Sequence, residues 1–382
     1  MQKLTTRHPA GRPAPSGAPH AFAGAVTLAD AGAEAADRDR SLSALTVEAL
    51  TGAGFARHFV PRRWGGTEGG FAELLARAAE LGEASASAAW CAMLWAAHGR
   101  FATRLPEQAQ QELWAAGPDV RLSAALAPPS GRVERRPDGW LLDGNWHCVS
   151  GALHADWFLL AVPGTEPGGG EALVLAVPAE RLTVSRTWHA PGLRGTGSDS
   201  VAATGVVVPA HRAVPLAELL AARPEASSRG GQAPALLGGG LLFCAPALGA
   251  ARRALRAWTA EATAARPGRE SELARAADAR LALARSAGEI EAAELLLRQA
   301  AERADHGPLD AQTVGRNQRD AAVGLDLLVT AVERLVRSGG VHTRSGADGV
   351  LDRAWRDLHT AASHAALRLQ SAADAWALTL VS

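Results

Sequence analysis

The 382-residue sequence contains no tyrosine, three cysteines and a single lysine, Lys3. Three widely spaced cysteines, an odd number, exclude a disulfide framework and a cysteine-based zinc site, and they fit a reducing cytosol. Lys plus Arg equals Asp plus Glu, 39 each. This balance argues against general adhesion to nucleic acid or membrane. The missing tyrosine and the arginine-heavy cations indicate a GC-rich genome, and we expect a role in specialised metabolism.

Long apolar runs and common catalytic motifs are also missing. No stretch reaches the roughly 18 unbroken apolar residues of a membrane helix, and prolines and glycines near the N-terminus argue against a signal peptide. We therefore expect a soluble, cytoplasmic protein. No Gly-x-Gly-x-x-Gly, Walker loop, His-Glu-x-x-His or Gly-x-Ser-x-Gly motif occurs. His359 and His364 are five residues apart, which is not a same-face metal pair on a helix, so no metal site is predicted.

Hydrophobic periodicity divides the chain into four parts. Residues 1–28 are expected to form a flexible lead, because prolines and glycines alternate there. Residues 29–119 read as a helical domain, and 120–216 as a β domain of short strands, a small sandwich or barrel. Residues 236–382 read as a four-helix bundle with helices over 236–264, 270–305, 309–338 and 350–380. The predicted class is α+β, mainly α.

Two details of this prediction concern local breaks. Asp143-Gly144 lies between the apolar runs Trp140–Leu142 and Trp146–Val149 and predicts a β-hairpin turn. Breaks between the bundle helices are expected at Pro267-Gly268, Gly307-Pro308 and Gly339-Gly340.

Four segments, in order, carry a resemblance to a known family. They are Val60-Pro61-Arg62-Arg63-Trp64-Gly65-Gly66; Ser87-Ala88-Ala89-Trp90 with His98; Gly139-Trp140 through Ser150-Gly151; and Arg353-Ala354-Trp355-Arg356-Asp357-Leu358-His359, ending at His364. With these four segments and with Gly192–Ser198, the chain resembles proteins of the acyl-CoA dehydrogenase fold. More narrowly, it resembles the reduced-flavin-dependent two-component monooxygenases built on that fold, with an N-terminal helical domain, a middle β-sandwich or barrel and a C-terminal four-helix bundle.

The resemblance implies an oxygenase component that receives FMNH2 or FADH2 from a separate NAD(P)H:flavin reductase. With O2 as co-substrate and a flavin C4a-(hydro)peroxide, such an enzyme hydroxylates or N-oxygenates a small organic substrate, aromatic compounds included. It also implies a homotetramer. Two alternatives stay open: an acyl-CoA dehydrogenase-like, FAD-dependent desaturase, and a non-catalytic helical interaction protein. The region 341–349 lacks the glutamate that many dehydrogenases use as a base, which favours the oxygenase.

The resemblance assigns catalytic roles to Ser150 and His364. Ser150 matches a serine that contacts the flavin near N5, and the alternative is a turn residue that caps a strand. His364 matches a histidine on the last long helix that faces the oxygenated flavin, and histidine can pass a proton near neutral pH. The alternative is a solvated or carboxylate-paired helix histidine.

Further residues are predicted to line the site. The resemblance places cofactor contacts at Trp146, Cys148, Val149, Ser150, Leu126, Thr196 and Ser198. His98 interrupts an apolar helix and is either a satisfied core histidine or a substrate-binding residue, and Trp95 is a candidate wall for an aromatic substrate. Arg353 and Arg356 either form a structural ion pair with Asp357 or bind flavin phosphate.

Overall fold

The N-terminal part consists of five helices. A computed structural model describes residues 18–164, 170–264, 270–338 and 349–381. The helices are α1 (Ala18–Asp39), α2 (Ala44–Gly52), α3 (Phe71–Ala84), α4 (Ala86–Ala102) and α5 (Glu107–Trp114). Nearly every residue of α4 is buried. Its first turn is capped by Ser85, whose hydroxyl accepts the Ala88 amide at 3.3 Å. This central helix carries two of the predicted site residues into the middle of the fold.

The predicted flexible lead is wrong for residues 18–28, which belong to α1. Alanines at 25, 29, 33 and 36 are buried and form one face of this helix. Their small side chains let α1 lie against α2, α3 and α4. Pro19 is tolerated because a helix begins with amides that need no intrahelical partner. Residues 1–17 lie outside the described residues.

The β domain contains two four-stranded sheets. Its strands are β1 (Leu122–Ala125), β2 (Arg132–Arg136), β3 (Gly139–Val149), β4 (Trp157–Val162), β5 (Leu173–Pro178), β6 (Thr183–Ser185), β7 (Asp199–Pro209) and β8 (Ala213–Pro215). One sheet has the order β1-β4-β5-β8, with β1 and β4 parallel, and the other has the order β2-β3-β7-β6. Trp146, Phe158 and Leu160 are among the buried residues that fill the core of this domain. The predicted sandwich-like domain over 120–216 therefore matches the observed strands.

The predicted hairpin at Asp143-Gly144 is wrong, because β3 runs through both residues. The turn lies earlier, between Arg136 and Gly139, which pair at the end of β2 and β3. At Gly144 the pairing of β3 with β7 shifts register. A Cβ on Gly144 would lie 2.8 Å from Cη2 of Trp146. This glycine therefore marks the place where the Trp146 ring folds over the strand rather than a reversal of the chain.

The C-terminal part is helical. After the short helices α6 (Leu216–Leu220) and α7 (Arg229–Gln232) come α8 (Ala235–Ala264), α9 (Glu270–His306), α10 (Ala311–Ser338), α11 (Val350–Ala362) and α12 (Leu369–Val381). The break at Gly307-Pro308 is confirmed. Those predicted at Pro267-Gly268 and Gly339-Gly340 lie outside the described residues.

The fourth predicted bundle helix is two helices. A 3-10 turn over Ala365–Leu367 separates α11 from α12, and His364 precedes it with extended backbone angles. The amide of Ala366 is bonded to Nδ1 of His364 at 3.3 Å instead of to a helical carbonyl. Leu367 is buried and anchors the turn. His364 is thus at a break, not on a long helix.

One helix in the described part of the chain, Ala235–Ala262 within α8, is long and apolar enough to cross a membrane by length and composition. Its most apolar window is 78% buried inside the protein. The central helix of a packed bundle has the same composition, since it is apolar on all sides.

Candidate active site

Ser150 lies in a tight turn directly after β3. Gly151 follows with φ of +69°, and a Cβ there would lie 3.3 Å from Nε1 of Trp95. The turn is held by two hydrogen bonds: Ser123 Oγ donates to the Ser150 carbonyl at 2.8 Å, and the Gly151 amide donates to the Thr196 carbonyl at 2.8 Å. A glycine is required because the left-handed angle and the nearby indole both disfavour a side chain.

The Ser150 hydroxyl belongs to a line of hydrogen bonds. The indole Nε1 of Trp90, on α4, donates to Ser150 Oγ at 3.2 Å. Ser150 Oγ lies 2.8 Å from Ser198 Oγ, which lies 2.7 Å from Thr196 Oγ1. Thr196 Oγ1 donates to the carbonyl of Leu193 at 2.8 Å. Both Thr196 and Ser198 are buried behind Ser150, so a direct contact of either with a cofactor stays a prediction.

The loop that carries Thr196 and Ser198 is fastened to α11. The Leu193 amide donates to Oδ1 of Asp357 at 2.5 Å, and the Gly192 amide donates to the Thr360 hydroxyl at 3.0 Å. A Cβ on Gly192 would lie 2.0 Å from the carbonyl oxygen of Arg356. Burial raises the pKa of Asp357 to about 7. The conformation of this loop therefore depends on a buried carboxyl group of the bundle.

Asp357→Asn is expected to stabilise the protein more at pH 8 than at pH 5. The raised pKa means that the native state binds the Asp357 proton more tightly than the unfolded chain does. The stability that this proton contributes is fully present below the unfolded pKa and is lost as pH rises towards 7. Asparagine cannot ionise and can still accept the Leu193 amide. The difference in unfolding free energy between variant and wild type should grow by on the order of 2 kcal/mol from pH 5 to pH 8. Urea denaturation at both pH values measures it, and an equal difference at both would contradict the raised pKa.

His364 also lies beside Trp90. Its ring centroid is 6.0 Å from that of Trp90 and 4.1 Å from that of Phe243, on α8, and the two larger rings are 5.0 Å apart. Burial lowers the pKa of His364, which keeps the ring neutral at pH 7. Because Nδ1 accepts the Ala366 amide, the neutral ring carries its proton on Nε2. The structure thus brings the two predicted catalytic residues into contact with the same indole.

His98 is a neutral histidine of the opposite tautomer. Its Nδ1 donates to the Leu122 carbonyl at 2.9 Å, and burial lowers its pKa to about 4. Nε2 therefore keeps a lone pair, which has no hydrogen-bond partner among the described residues. Trp95 is fully buried beneath the Ser150 turn and lies behind the site surface. Substrate contacts by these two residues stay predictions.

The predicted cofactor-binding residues of β3 differ in position. Trp146 and Val149 point into the interior of the β domain, where the Trp146 indole donates to the Ala161 carbonyl at 2.9 Å. Only their backbone is left to face a cofactor. Cys148 is exposed between them, with φ of +58°. Leu126 follows β1 and packs, half-buried, against the core between the sheet and the helices.

Arg356 has a structural role. Its guanidinium pairs with Asp37 at 3.0 Å and with Asp352 at 2.8 Å, and it donates to the Pro191 carbonyl at 2.7 Å. These bonds join α1, α11 and the loop before Leu193. They favour the structural alternative over phosphate binding for this arginine.

Comparison with known proteins shows the family. The chain is 31% identical over 369 residues to the FADH(2)-dependent resorcinol hydroxylase, oxygenase component, of Rhizobium sp. (strain MTP-10005), covering 90% of this chain and 88% of that protein. The chain belongs to the two-component flavin-dependent monooxygenases. Residues 241–369 also match the family described as Acyl-CoA dehydrogenase, C-terminal domain.

Solved structures agree with this assignment. The HsaA monooxygenase of M. tuberculosis superimposes with a TM-score of 0.83 at 25% identity, covering 96% of this chain and 99% of that one. XiaF from Streptomyces sp., in complex with FADH2 and glycerol, superimposes with a TM-score of 0.87 at 24% identity, covering 95% of each chain. The expected acyl-CoA dehydrogenase-like fold is confirmed.

This monooxygenase is an oxygenase component that uses reduced flavin and O2. It depends on a separate flavin reductase and acts on a small molecule. Its residues fit the planar ring of a flavin: the flat side chains of Trp90, Phe243 and His364 pack against one another, and the Trp90 indole donates to the Ser150 hydroxyl. The relatives' names favour the oxygenase over the desaturase and the non-catalytic alternative.

Two residues of this site, Trp90 and Phe243, carried no role in the sequence prediction, and Asp357 was predicted only as an ion-pair partner. Trp90 and Asp357 lie inside segments of the family resemblance, which is a signal that could have singled them out. Phe243 lies in an apolar helix where no local pattern distinguishes it from its neighbours. Its role depends on the packing of α8 against the break at His364.

Proposed function

We propose that this monooxygenase hydroxylates a small phenolic compound, with FADH2 as its preferred flavin. The observation that carries the proposal is that Ser150 and His364 both contact the Trp90 indole, and that His364 also packs against the Phe243 ring. A corner lined by aromatic rings suits a flat aromatic substrate. The resorcinol hydroxylase relative, which is FADH(2)-dependent by name, supports both the substrate class and the flavin.

When bound, the reduced flavin supplies the electrons and the place where O2 is activated. In the proposed arrangement Ser150 Oγ contacts the flavin at N5 and the surrounding rings exclude water. The Nε2–H of His364 donates a hydrogen bond towards the reacting oxygen, and the lone pair on His98 Nε2 accepts the substrate hydroxyl. The second candidate chemistry, N-oxygenation of an amine, has no carboxylate among these side chains to hold an ammonium group, so we favour phenols.

An isotope experiment tests this function. The protein, FADH2 and ¹⁸O2 are combined with resorcinol, with phenol and, as a control, with an aliphatic alcohol, and products are identified by mass spectrometry. We expect one labelled oxygen atom in an aromatic product, faster turnover with FADH2 than with FMNH2, and none in the alcohol. A protein that purifies with oxidised FAD, reduces an artificial acceptor with an acyl-CoA and labels no aromatic compound would be a desaturase instead.

We also propose a cytoplasmic homotetramer. Cys91, Cys148 and Cys244 are all unpaired, which fits a reducing compartment. The last helix leaves Leu378, Leu380 and Val381 exposed, and such apolar side chains at the end of a bundle suit contacts between subunits. Sedimentation equilibrium at micromolar concentration measures the mass, and a monomer would contradict the tetramer.

A further inference from the structure

The hydrogen bonds behind Ser150 can have only one direction. A hydroxyl group carries a single hydrogen, and a backbone carbonyl can only accept. Thr196 uses its hydrogen on the Leu193 carbonyl at 2.8 Å, so it must accept from Ser198 at 2.7 Å. Ser198 has then used its own hydrogen and must accept from Ser150 at 2.8 Å. The hydroxyl hydrogen of Ser150 therefore points away from the site.

The hydrogen bond between Trp90 and Ser150 is consistent with this direction. Trp90 Nε1 is a donor only, and it donates to Ser150 Oγ at 3.2 Å. The oxygen of Ser150 thus accepts one hydrogen bond, donates one, and keeps one lone pair. Any further partner of this oxygen must itself be a donor.

The line of hydroxyl groups ends at the Leu193 carbonyl. The Leu193 carbonyl receives two more donors, the Trp188 indole at 3.0 Å and the Thr196 amide at 3.1 Å. Thr196 and Ser198 are 1% and 5% exposed, so bulk water cannot offer them other partners. Reversing the hydroxyl hydrogens would place Thr196 Oγ1 and the Leu193 carbonyl oxygen 2.8 Å apart with no hydrogen between them, and this repulsion between two acceptors fixes the direction.

We propose that this directed line of hydroxyls makes the site selective for reduced over oxidised flavin, with Thr196 and Ser198 as positioning residues. The inference rests on the proposed function, which places Ser150 Oγ beside flavin N5. Reduced flavin carries a hydrogen on N5 and can donate to the free lone pair of Ser150. Oxidised flavin has only a lone pair on N5, so two acceptors would face each other. An oxygenase whose flavin is exchanged with a separate reductase gains from this difference, since the oxidised product is released and the reduced flavin is retained.

Thr196→Val tests the direction of the line without touching Ser150. Valine removes the acceptor for Ser198, which can then donate to Ser150 and leave the Ser150 hydrogen free to turn towards N5. We expect the ratio of Kd for oxidised flavin to Kd for reduced flavin to fall by about tenfold, mostly through tighter binding of the oxidised form. Ser198→Ala should lower the ratio similarly, and Thr196→Ser should keep the wild-type value. Fluorescence titration measures the oxidised form, and anaerobic equilibrium ultrafiltration measures the reduced form.

The control is Thr51→Val, which removes a similar hydroxyl-to-carbonyl bond, 2.8 Å long, in α2 and should leave the ratio unchanged. If the wild type binds reduced flavin and the ratio is the same in Thr196→Val and Ser198→Ala, the directed line is not the cause of selectivity and the inference fails alone. If the wild type binds neither form, the proposed function fails as well. A lowered ratio in both variants, restored in Thr196→Ser, supports the inference.

Discussion

His364→Ala should lower the rate of substrate hydroxylation by about 10²–10⁴-fold, the usual contribution of a positioned proton donor or acceptor. Reduced-flavin affinity should stay within about tenfold, or ~1.4 kcal/mol. The reason is the tautomer: Nδ1 is occupied by the Ala366 amide, so Nε2–H is the available donor, and burial lowers the pKa of the ring and keeps it neutral. Product formation under single-turnover conditions, together with hydrogen peroxide release, measures the loss.

Two further variants separate chemistry from structure. His364→Asn keeps a side-chain oxygen that can cap the Ala366 amide but offers no imidazole, so it should be as inactive as the alanine variant. His359→Ala is the matched control: this histidine is exposed and bonds the Trp355 carbonyl at 2.9 Å within α11, and its removal should leave turnover unchanged. Full activity in His364→Asn would reduce His364 to a capping residue.

Gly249→Ala should destabilise the protein by about 3 kcal/mol, at the upper end for an overpacked core. Gly249 lies where α8 crosses α3. A Cβ there would be 2.2 Å from the Ala79 carbonyl oxygen and 2.6 Å from the Glu83 amide nitrogen. These are backbone atoms, so the two helices would have to separate. Because α8 also carries Phe243, we expect weaker flavin binding in the same variant.

Gly239→Ala, on the same helix, is the control, and it should raise the stability of the protein instead of lowering it. No atom lies within 4 Å of a Cβ at this position. Alanine has a higher helix propensity than glycine, so this variant should gain about 1 kcal/mol. Chemical denaturation of both variants measures the two values. Equal effects would show that the α3–α8 crossing tolerates a methyl group.

Sequence patterns predicted most of the fold but not every break. Apolar periodicity located the helical domain over 29–119, and turn residues bounded the β domain, because local propensity and burial agree there. The division between α11 and α12 contains no proline or glycine. It depends on the His364 side chain, which takes the place of a helical carbonyl, and on Leu367, which is buried against the bundle. A local sequence pattern cannot show the hydrogen bond of His364 or the burial of Leu367.

The residues of the candidate site were likewise predicted only in part. The residues that the family resemblance selected, Ser150 and His364, both contact the Trp90 indole. Trp146 and Val149 were selected with them, but both side chains enter the β core, because the irregularity of β3 between them, with Cys148 at φ of +58°, brings residues three apart onto one face. A motif identifies neighbours in sequence, and the pleat of the strand together with its bulge decides which of them face a ligand.

The order of helical, β and helical domains and the family follow from the amino-acid sequence, because periodicity, turn residues and ordered motifs are local properties of the chain. The construction of the site follows from tertiary packing. The Trp90 indole, the Ser150 turn and the loop that carries Thr196 and Ser198 come from segments far apart in sequence. The direction of their hydrogen bonds follows from which buried carbonyl, that of Leu193, ends the line, and that depends on packing across domains.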